Sequence, residues 1–218
     1  MNPPARSAPA DAPRVVYRDE HLLVVDKPPG LLAVPGRGTL KQDCLAARLQ
    51  ALWADTLVVH RLDQATSGLM VFARSPAVQR CLSMAFERRE VIKRYVAVVW
   101  GRVEAPQGCI DLPLRADWPN RPRQQVDREQ GKPSCTRWHV LSHHAAGETT
   151  RLELEPQTGR THQLRVHLWA IGHPIVGDTL YGAAEQMPAT RLLLHASELA
   201  FAHPVSGAPL HFALAAPF

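Results

Sequence analysis

Hydrophobic positions along this chain fall into short runs, and most of the runs have strand character. Residues 15–17 and 22–25 are β-prone stretches separated by the polar Arg18-Asp19-Glu20-His21, the pattern of a hairpin. The stiff Lys27-Pro28-Pro29-Gly30 ends the second run in a turn. Residues 57–59 and 69–73 read as strands on either side of a bend. Residues 93–100 alternate as a strand, and 136–142 pairs with 150–155 across a polar loop, 143–148. The last third returns to short β runs at 191–194, 197–202 and 210–214. Helical spacing occurs in three places. Residues 39–53 carry Leu45, Leu49 and Leu52 on one side. Ser75-Pro76 supplies a cap and a proline at the first helical position, opening a helix that runs to about Arg89. The turn Gln157-Thr158-Gly159 precedes a helix over 161–171 with Leu164, Leu168 and Ile171 as its core-facing stripe, closed by Gly172. Residues 101–130, centred on the proline-rich DWPNRPRQQV, read as irregular.

Strands and helices are mixed without regular β-α alternation, which predicts an α+β fold on a mixed, mainly antiparallel central sheet with flanking helices. The 218 residues divide into a Pro- and Ala-rich tail over 1–13 and one domain over 14–218. No apolar run approaches the length of a membrane span and no signal-peptide core is present.

Composition narrows the chemistry. The formal net charge is +5, and of 25 basic residues 21 are Arg, the side chain whose planar fork suits phosphate and stacks on bases. Residues 74–102 hold seven basic side chains against two acidic ones, which reads either as a nucleic-acid footprint or as a solvated helix face. The four cysteines have no C-x-x-C pairing and read as buried free thiols in a reducing cytoplasm. His162 and His167 lie five residues apart and no H-E-x-x-H occurs, so no metal site is expected. G-x-G-x-x-G, G-K-[ST] and G-x-S-x-G are all missing, so dinucleotide redox chemistry, nucleotide hydrolysis and serine hydrolysis lack their usual signatures.

The bend between residues 59 and 69 holds the candidate chemistry. His60-Arg61-Leu62-Asp63 puts two charges between strands, where charges must be paired or used. Asp63 either caps the turn through the amides that follow it, as Thr66 and Ser67 could, or is a carboxylate nucleophile with a positive partner. Arg61, Arg160 and Arg165 are the candidate partners.

His60-Arg61-Leu62-Asp63-x-x-Thr66-Ser67-Gly68 resembles the signature of the RluA-type pseudouridine synthases. Further blocks resemble the family in the same order: Val25-Asp26-Lys27-Pro28-x-Gly30, Lys93-Arg94-Tyr95, the stretch from Pro156 to His167, Gly172-His173-Pro174-Ile175-x-Gly177-Asp178, and Leu194-His195-Ala196. Asp117-Trp118-Pro119-Asn120-Arg121-Pro122 resembles the small members that act on large-subunit ribosomal RNA and certain tRNAs. The resemblance implies a pseudouridine synthase fold with a catalytic cleft, here without the S4-type RNA-binding domain that other members carry. It also implies an isomerisation that needs no cofactor, with structured rRNA and tRNA as partners of a cytoplasmic monomer.

By that resemblance Asp63 is the nucleophile, with attack on the sugar, attack on the base and assisted elimination all open. Arg165 is its ion partner. Tyr95 packs on the target base and helps move a proton, or only packs. Arg61 occupies the space of the flipped uridine, or pairs with a neighbouring carboxylate. Leu164 packs under the ring or belongs to the core. Arg88, Arg89, Lys93, Arg94, Arg121 and Arg123 are the expected RNA contacts. His60, His162 and His167 hold loops by hydrogen bonds. The rival readings are a glycoside hydrolase, which needs a second carboxylate, and a non-catalytic RNA-binding domain on the same fold.

Overall fold

The computed structural model describes residues 12–36, 38, 41–144, 148–182 and 189–218; nearly all of the expected tail lies outside them. In chain order the elements are β1 (Arg14–Arg18), β2 (Leu22–Lys27), α1 (Leu45–Leu52), β3 (Leu57–Val58), β4 (Ser67–Ala73) and α2 (Pro76–Glu87). There follow β5 (Ile92–Trp100), β6 (Gln107–Asp111), β7 (Leu114–Ala116), β8 (Gln124–Val126), β9 (Cys135–His143), β10 (Thr149–Pro156), α3 (Gln163–Ala170), β11 (Leu194–Ala202) and β12 (Pro209–Ala213). Ten strands form one sheet in the order β1-β2-β4-β11-β5-β10-β9-β6, with β3 on β4 and β12 on β11, while β7 and β8 pair separately. One junction, β4 with β11, is parallel and the other pairings are antiparallel. The expected α+β architecture is the observed one.

Alternation along β2 and β4 explains the layering. Leu23, Val25, Met70 and Phe72 face α1 with Leu45 and Leu49, whereas Leu22, Val24, Leu69 and Val71 face α2 with Val78 and Leu82. Residues 22–25 of β2 and 69–73 of β4 are therefore apolar without interruption. A third cluster joins Ala97, Val99, Leu152 and Leu154 to Leu164 and Leu168 of α3, and Tyr95 packs against both the first and the third. Tyr95 thus sits on the seam between two core regions.

Several local expectations change. The first helix begins at Leu45, capped by Cys44, and its first amides are satisfied by a loop: Leu45 and Ala46 donate to the carbonyls of Leu32 and Ala33. Thr39 and Leu40 lie outside the described residues. Residues 101–130 hold three strands, because β6 is specified by its pairing with β9 and not by any local pattern. The runs at 191–194 and 197–202 contribute to a single strand, β11, kinked by a register shift between Ala196 and Glu198. Ile171 is the exposed C-cap of α3 and lies outside the core stripe. Of the cysteines, only Cys44 is buried.

The β4–β11 junction brings the functional segments together. His195 lies opposite Ser67 and Ala196 opposite Gly68, while on the far side of β11 Ala196 lies opposite Tyr95. Gly68 has φ 113, and a Cβ there would come within 2.2 Å of the Ala196 carbonyl oxygen. Arg191 donates to the Ser67 hydroxyl, which is also hydrogen-bonded to His195 Nδ1 at 2.8 Å. Replacing Gly68 with alanine is expected to destabilise the protein by about 3 kcal/mol or more, since both the dihedral and the backbone contact oppose it. Urea unfolding checks this; a change below about 1 kcal/mol would show that the junction can yield.

Candidate active site

The bend between β3 and β4 is clamped from below. Lys27, fully buried at the end of β2, donates its ammonium to the carbonyls of Pro28, Leu31 and Gln64 at 2.9, 2.7 and 3.0 Å. Gly30, with φ 84, donates its amide to the Gln64 carbonyl at 2.8 Å and accepts from the Gln64 side chain at 2.9 Å. Burial pushes Lys27 down to about 8, with Asp63 opposing the shift. His60 fastens the other arm: its Nε2 accepts from the Val71 amide at 3.1 Å and its ring stacks on Phe86 at 4.5 Å. Burial, assisted by Lys93, pushes His60 down to about 3, so the ring is neutral and works as an acceptor.

Asp63 therefore emerges from a rigid turn. The turn bond uses its backbone carbonyl, which accepts from the Thr66 amide at 3.1 Å, and leaves the carboxylate facing a cleft of about 570 Å³. Arg61, Lys93, Tyr95, Leu164 and Arg165 line the same cleft, together with Arg89, Arg160 and His162. Of the three candidate partners, Arg165 approaches Asp63, with Nη1 3.5 Å from Oδ2.

That guanidinium has a second and closer partner. Arg165 Nε and Nη2 donate to the two oxygens of Asp178, each at 2.7 Å, and both side chains are buried. Asp178 Oδ1 also accepts from the amides of Leu180 and Tyr181 at 2.9 and 3.1 Å. The fork is thereby fixed by Asp178 and offers its remaining nitrogen to Asp63. Asp178 stood within a family block without a role; its signal was an acidic residue among apolar neighbours, which only the fold connects to Arg165.

A second chain of bonds reaches Asp63 from the side. The Gln124 amide donates to the Tyr181 hydroxyl at 2.7 Å, and that hydroxyl is hydrogen-bonded to His162 Nδ1 at 2.8 Å. The other ring nitrogen, His162 Nε2, faces Asp63 Oδ1 at 3.9 Å. Burial pushes Tyr181 up to about 12 and lowers His162. His162 starts α3 from a left-handed conformation, φ 53, without a side-chain cap. Gln163 compensates: its Oε1 accepts from Thr158 and from the Arg160 amide, and its Nε2 donates to Cys135 and Thr136. His167 donates Nε2–H to the Leu112 carbonyl and accepts at Nδ1 from Thr136, both at 2.9 Å.

The remaining predicted residues divide. Burial, followed by the charge on Asp63, pushes the Tyr95 hydroxyl well above its ordinary value, so it stays protonated. Arg61 is exposed in the cleft and, among the described residues, is in no ion pair. Leu164 both lines the cleft and packs in the core. Arg88 caps α2 on the surface. Arg94 does not join the cleft: strand alternation turns it to the opposite face, where it meets Glu198 at 3.0 Å and Glu153 at 3.8 Å. Arg74 and Arg102 are also in ion pairs, so the basic window at 74–102 is not one free patch. Arg121 and Arg123 lie on the β7–β8 connection. Arg121 stacks on exposed Trp118, 3.2 Å from the ring centroid, and Arg123 lies over Tyr181 and Trp169. The sequence motif that contains Trp118 does not by itself mark it as a stacking platform. Among the described residues no cluster of three or more metal-ligating side chains occurs.

Residues 21–170 match the family model described as RNA pseudouridylate synthase. The chain belongs to the RNA pseudouridylate synthase family. It is of the RluA type and an enzyme of that class. It is 48% identical over 94% of its length to the dual-specificity RNA pseudouridine synthase RluA of Yersinia pestis, covering 99% of that protein. The RluA of Escherichia coli K12 is likewise 48% identical over 94% of this chain and 93% of its own length. The solved structure of human RNA pseudouridylate synthase domain containing 1 superposes with a TM-score of 0.80 at 31% identity, covering 100% of this chain and 87% of that one.

Two outcomes follow from the fork. Asp178→Asn leaves a buried guanidinium half-paired and is expected to cost about 3–5 kcal/mol, whereas Asp63→Asn, at the cleft, costs under about 1 kcal/mol. Urea titrations of the two variants measure the difference; equal costs would contradict the assignment of Asp178 as the structural partner. The buried neutral state of His60 sets an acid limit. Its folded pKa lies below the unfolded value, so the unfolded chain binds more protons as pH falls through 6.5. Stability is then lost by roughly 2 kcal/mol by pH 5 from this residue alone. Urea midpoints at pH 7 and pH 5 check this, and a flat profile would mean that the ring can protonate in place.

Proposed function

We propose that this cleft isomerises specific uridines in folded RNA, namely large-subunit 23S ribosomal RNA and tRNA stem-loops. The observation that carries the reading is the Asp63 carboxylate on a clamped turn, 3.5 Å from the Arg165 guanidinium in a cleft large enough for one nucleotide. The relatives' names, dual-specificity RNA pseudouridine synthase, support a reading with more than one RNA substrate.

Isomerisation breaks the bond between uracil N1 and the ribose, turns the base, forms a bond to C5, and moves one proton from C5 to N1. Atoms balance without a co-reactant. The uridine leaves its stack at a cost of a few kcal/mol, and exposed Arg61 takes the vacated place. Tyr95 and Leu164 pack on the base, and Asp63 acts as the nucleophile. Tyr95 keeps its proton and serves as a hydrogen-bond donor. Arg88, Arg89 and Lys93 contact phosphates beside the cleft. The β7–β8 loop, with Arg121 already stacked on Trp118 and Arg123 on Tyr181, extends the RNA surface beyond it. Arg94, committed to Glu198 and Glu153, is not one of the contacts. Residues 14–218 act as one catalytic unit, a monomer in the cytoplasm.

Incubation of the protein with rRNA and tRNA, followed by nucleoside analysis, tests the activity. Asp63→Asn is expected to abolish pseudouridine while RNA binding persists, and product from that variant would refute the nucleophile. Trp118→Ala is expected to weaken RNA binding about tenfold, the worth of roughly one base stack, with turnover at saturation unchanged. An unaltered Kd would remove the loop from the interface.

A further inference from the structure

We propose that Cys109 and Cys135 form a reversible disulfide that staples the edge of the sheet and closes the loop carrying the β7–β8 hairpin. The two thiols lie on adjacent strands, β6 and β9, with their sulfurs 3.0 Å apart. Their register is diagonal: Cys109 is opposite Arg137, and Cys135 is opposite Asp111. The sulfurs need to close by only about 1 Å to reach bonding distance. The two partners are unequal in freedom. Cys135 is fixed through its backbone, its amide donating to Thr158 Oγ1 at 3.0 Å and its carbonyl accepting from the Gln157 amide and Gln163 Nε2 at 2.9 and 3.0 Å. β6 is the terminal strand of the sheet, so it is β6 that moves.

Accessibility sets the order of steps. Cys109 is exposed and lines a groove of about 400 Å³ that admits a small oxidised thiol such as glutathione disulfide. The Cys109 thiolate attacks one sulfur of that disulfide, forming a mixed disulfide and releasing one glutathione thiolate. The Cys135 thiolate then attacks the Cys109 sulfur, forming the protein disulfide and releasing the second glutathione. The two protons lost by the cysteines are taken up by the two released thiolates, and the glutathione disulfide is the species reduced. Cys135 starts as the poorer nucleophile, pushed up to about 11 by burial and then by its hydrogen bond and proximity to Cys109. The first step removes the Cys109 part of that restraint. Cys44 is buried with its sulfur accepting the Ala47 amide, and Cys81 bonds to the Pro204 carbonyl, so neither competes for the same partner. The closed loop contains β7, β8 and the 117–123 connection with Trp118, Arg121 and Arg123.

The test is to incubate the reduced full-length protein with glutathione disulfide. Free thiols are then counted under denaturing conditions, non-reduced peptides are mapped, and melting is followed with and without dithiothreitol. The expected result is a fall from four thiols to two, a peptide joining Cys109 to Cys135, and a rise in Tm of about 5 °C that dithiothreitol reverses. Cys109→Ser and Cys135→Ser each lose both the linked peptide and the rise. A stable mixed disulfide on Cys109 with Cys135 still free, or a linked peptide involving Cys44 or Cys81, would overturn the proposal.

Discussion

A single buried guanidinium organises this enzyme. Arg165 stands between two carboxylates, bonded through two nitrogens to Asp178 at 2.7 Å and facing Asp63 with the third at 3.5 Å. A buried Arg is tolerable only when its charge is met, and Asp178, itself held by two backbone amides, meets it without involving the cleft. The consequence is a division of labour. One carboxylate satisfies the cation and fixes its orientation, which leaves the other partly solvated and free to act on a substrate.

The sheet makes that arrangement possible. Its parallel junction, with Gly68 in contact with Ala196, puts the Asp63 turn beside the strand that neighbours Tyr95. Tyr95's own strand, β5, pairs on its other side with β10, whose end leads through residues 156–162 into α3 and Arg165. Three segments far apart in sequence thus converge on one side of the sheet. Lys27 and His60 then hold the turn by opposite means: a buried cation gripping three carbonyls, and a buried neutral ring accepting one amide. Tyr181 extends the same order outward, linking Gln124 of the β7–β8 hairpin to His162 beside the nucleophile.

Much of this was legible in the chain. The apolar runs of β2 and β4, the Ser75-Pro76 start of α2 and the β9–β10 pair are local patterns, and local patterns survive folding. β6 was not legible, because its partner β9 lies about thirty residues away and a five-residue polar strand has no period of its own. Asp63, Arg165 and Tyr95 came from the family motifs, and the fold brings them together in one cleft. Arg94 shows where a motif misleads: it adjoins Tyr95 in sequence, but strand alternation sends it to the other face. Asp178 and Lys27 were hidden for a different reason. Both stand in family blocks, but the partner that gives each its role at the site, Arg165 for Asp178 and the Gln64 carbonyl for Lys27, lies more than ten residues away.

Catalysis in this cleft depends on the shape of the Arg165 fork as well as on its charge. Arg165→Lys tests it most directly, since an ammonium keeps the charge but cannot hold both oxygens of Asp178 and still face Asp63. The measurement is the single-turnover rate of pseudouridine formation at saturating enzyme, at a temperature where circular dichroism shows the variant folded. The account predicts a rate at least about 100-fold below that of the native protein, with RNA affinity retained. A rate within a few-fold of native would contradict it.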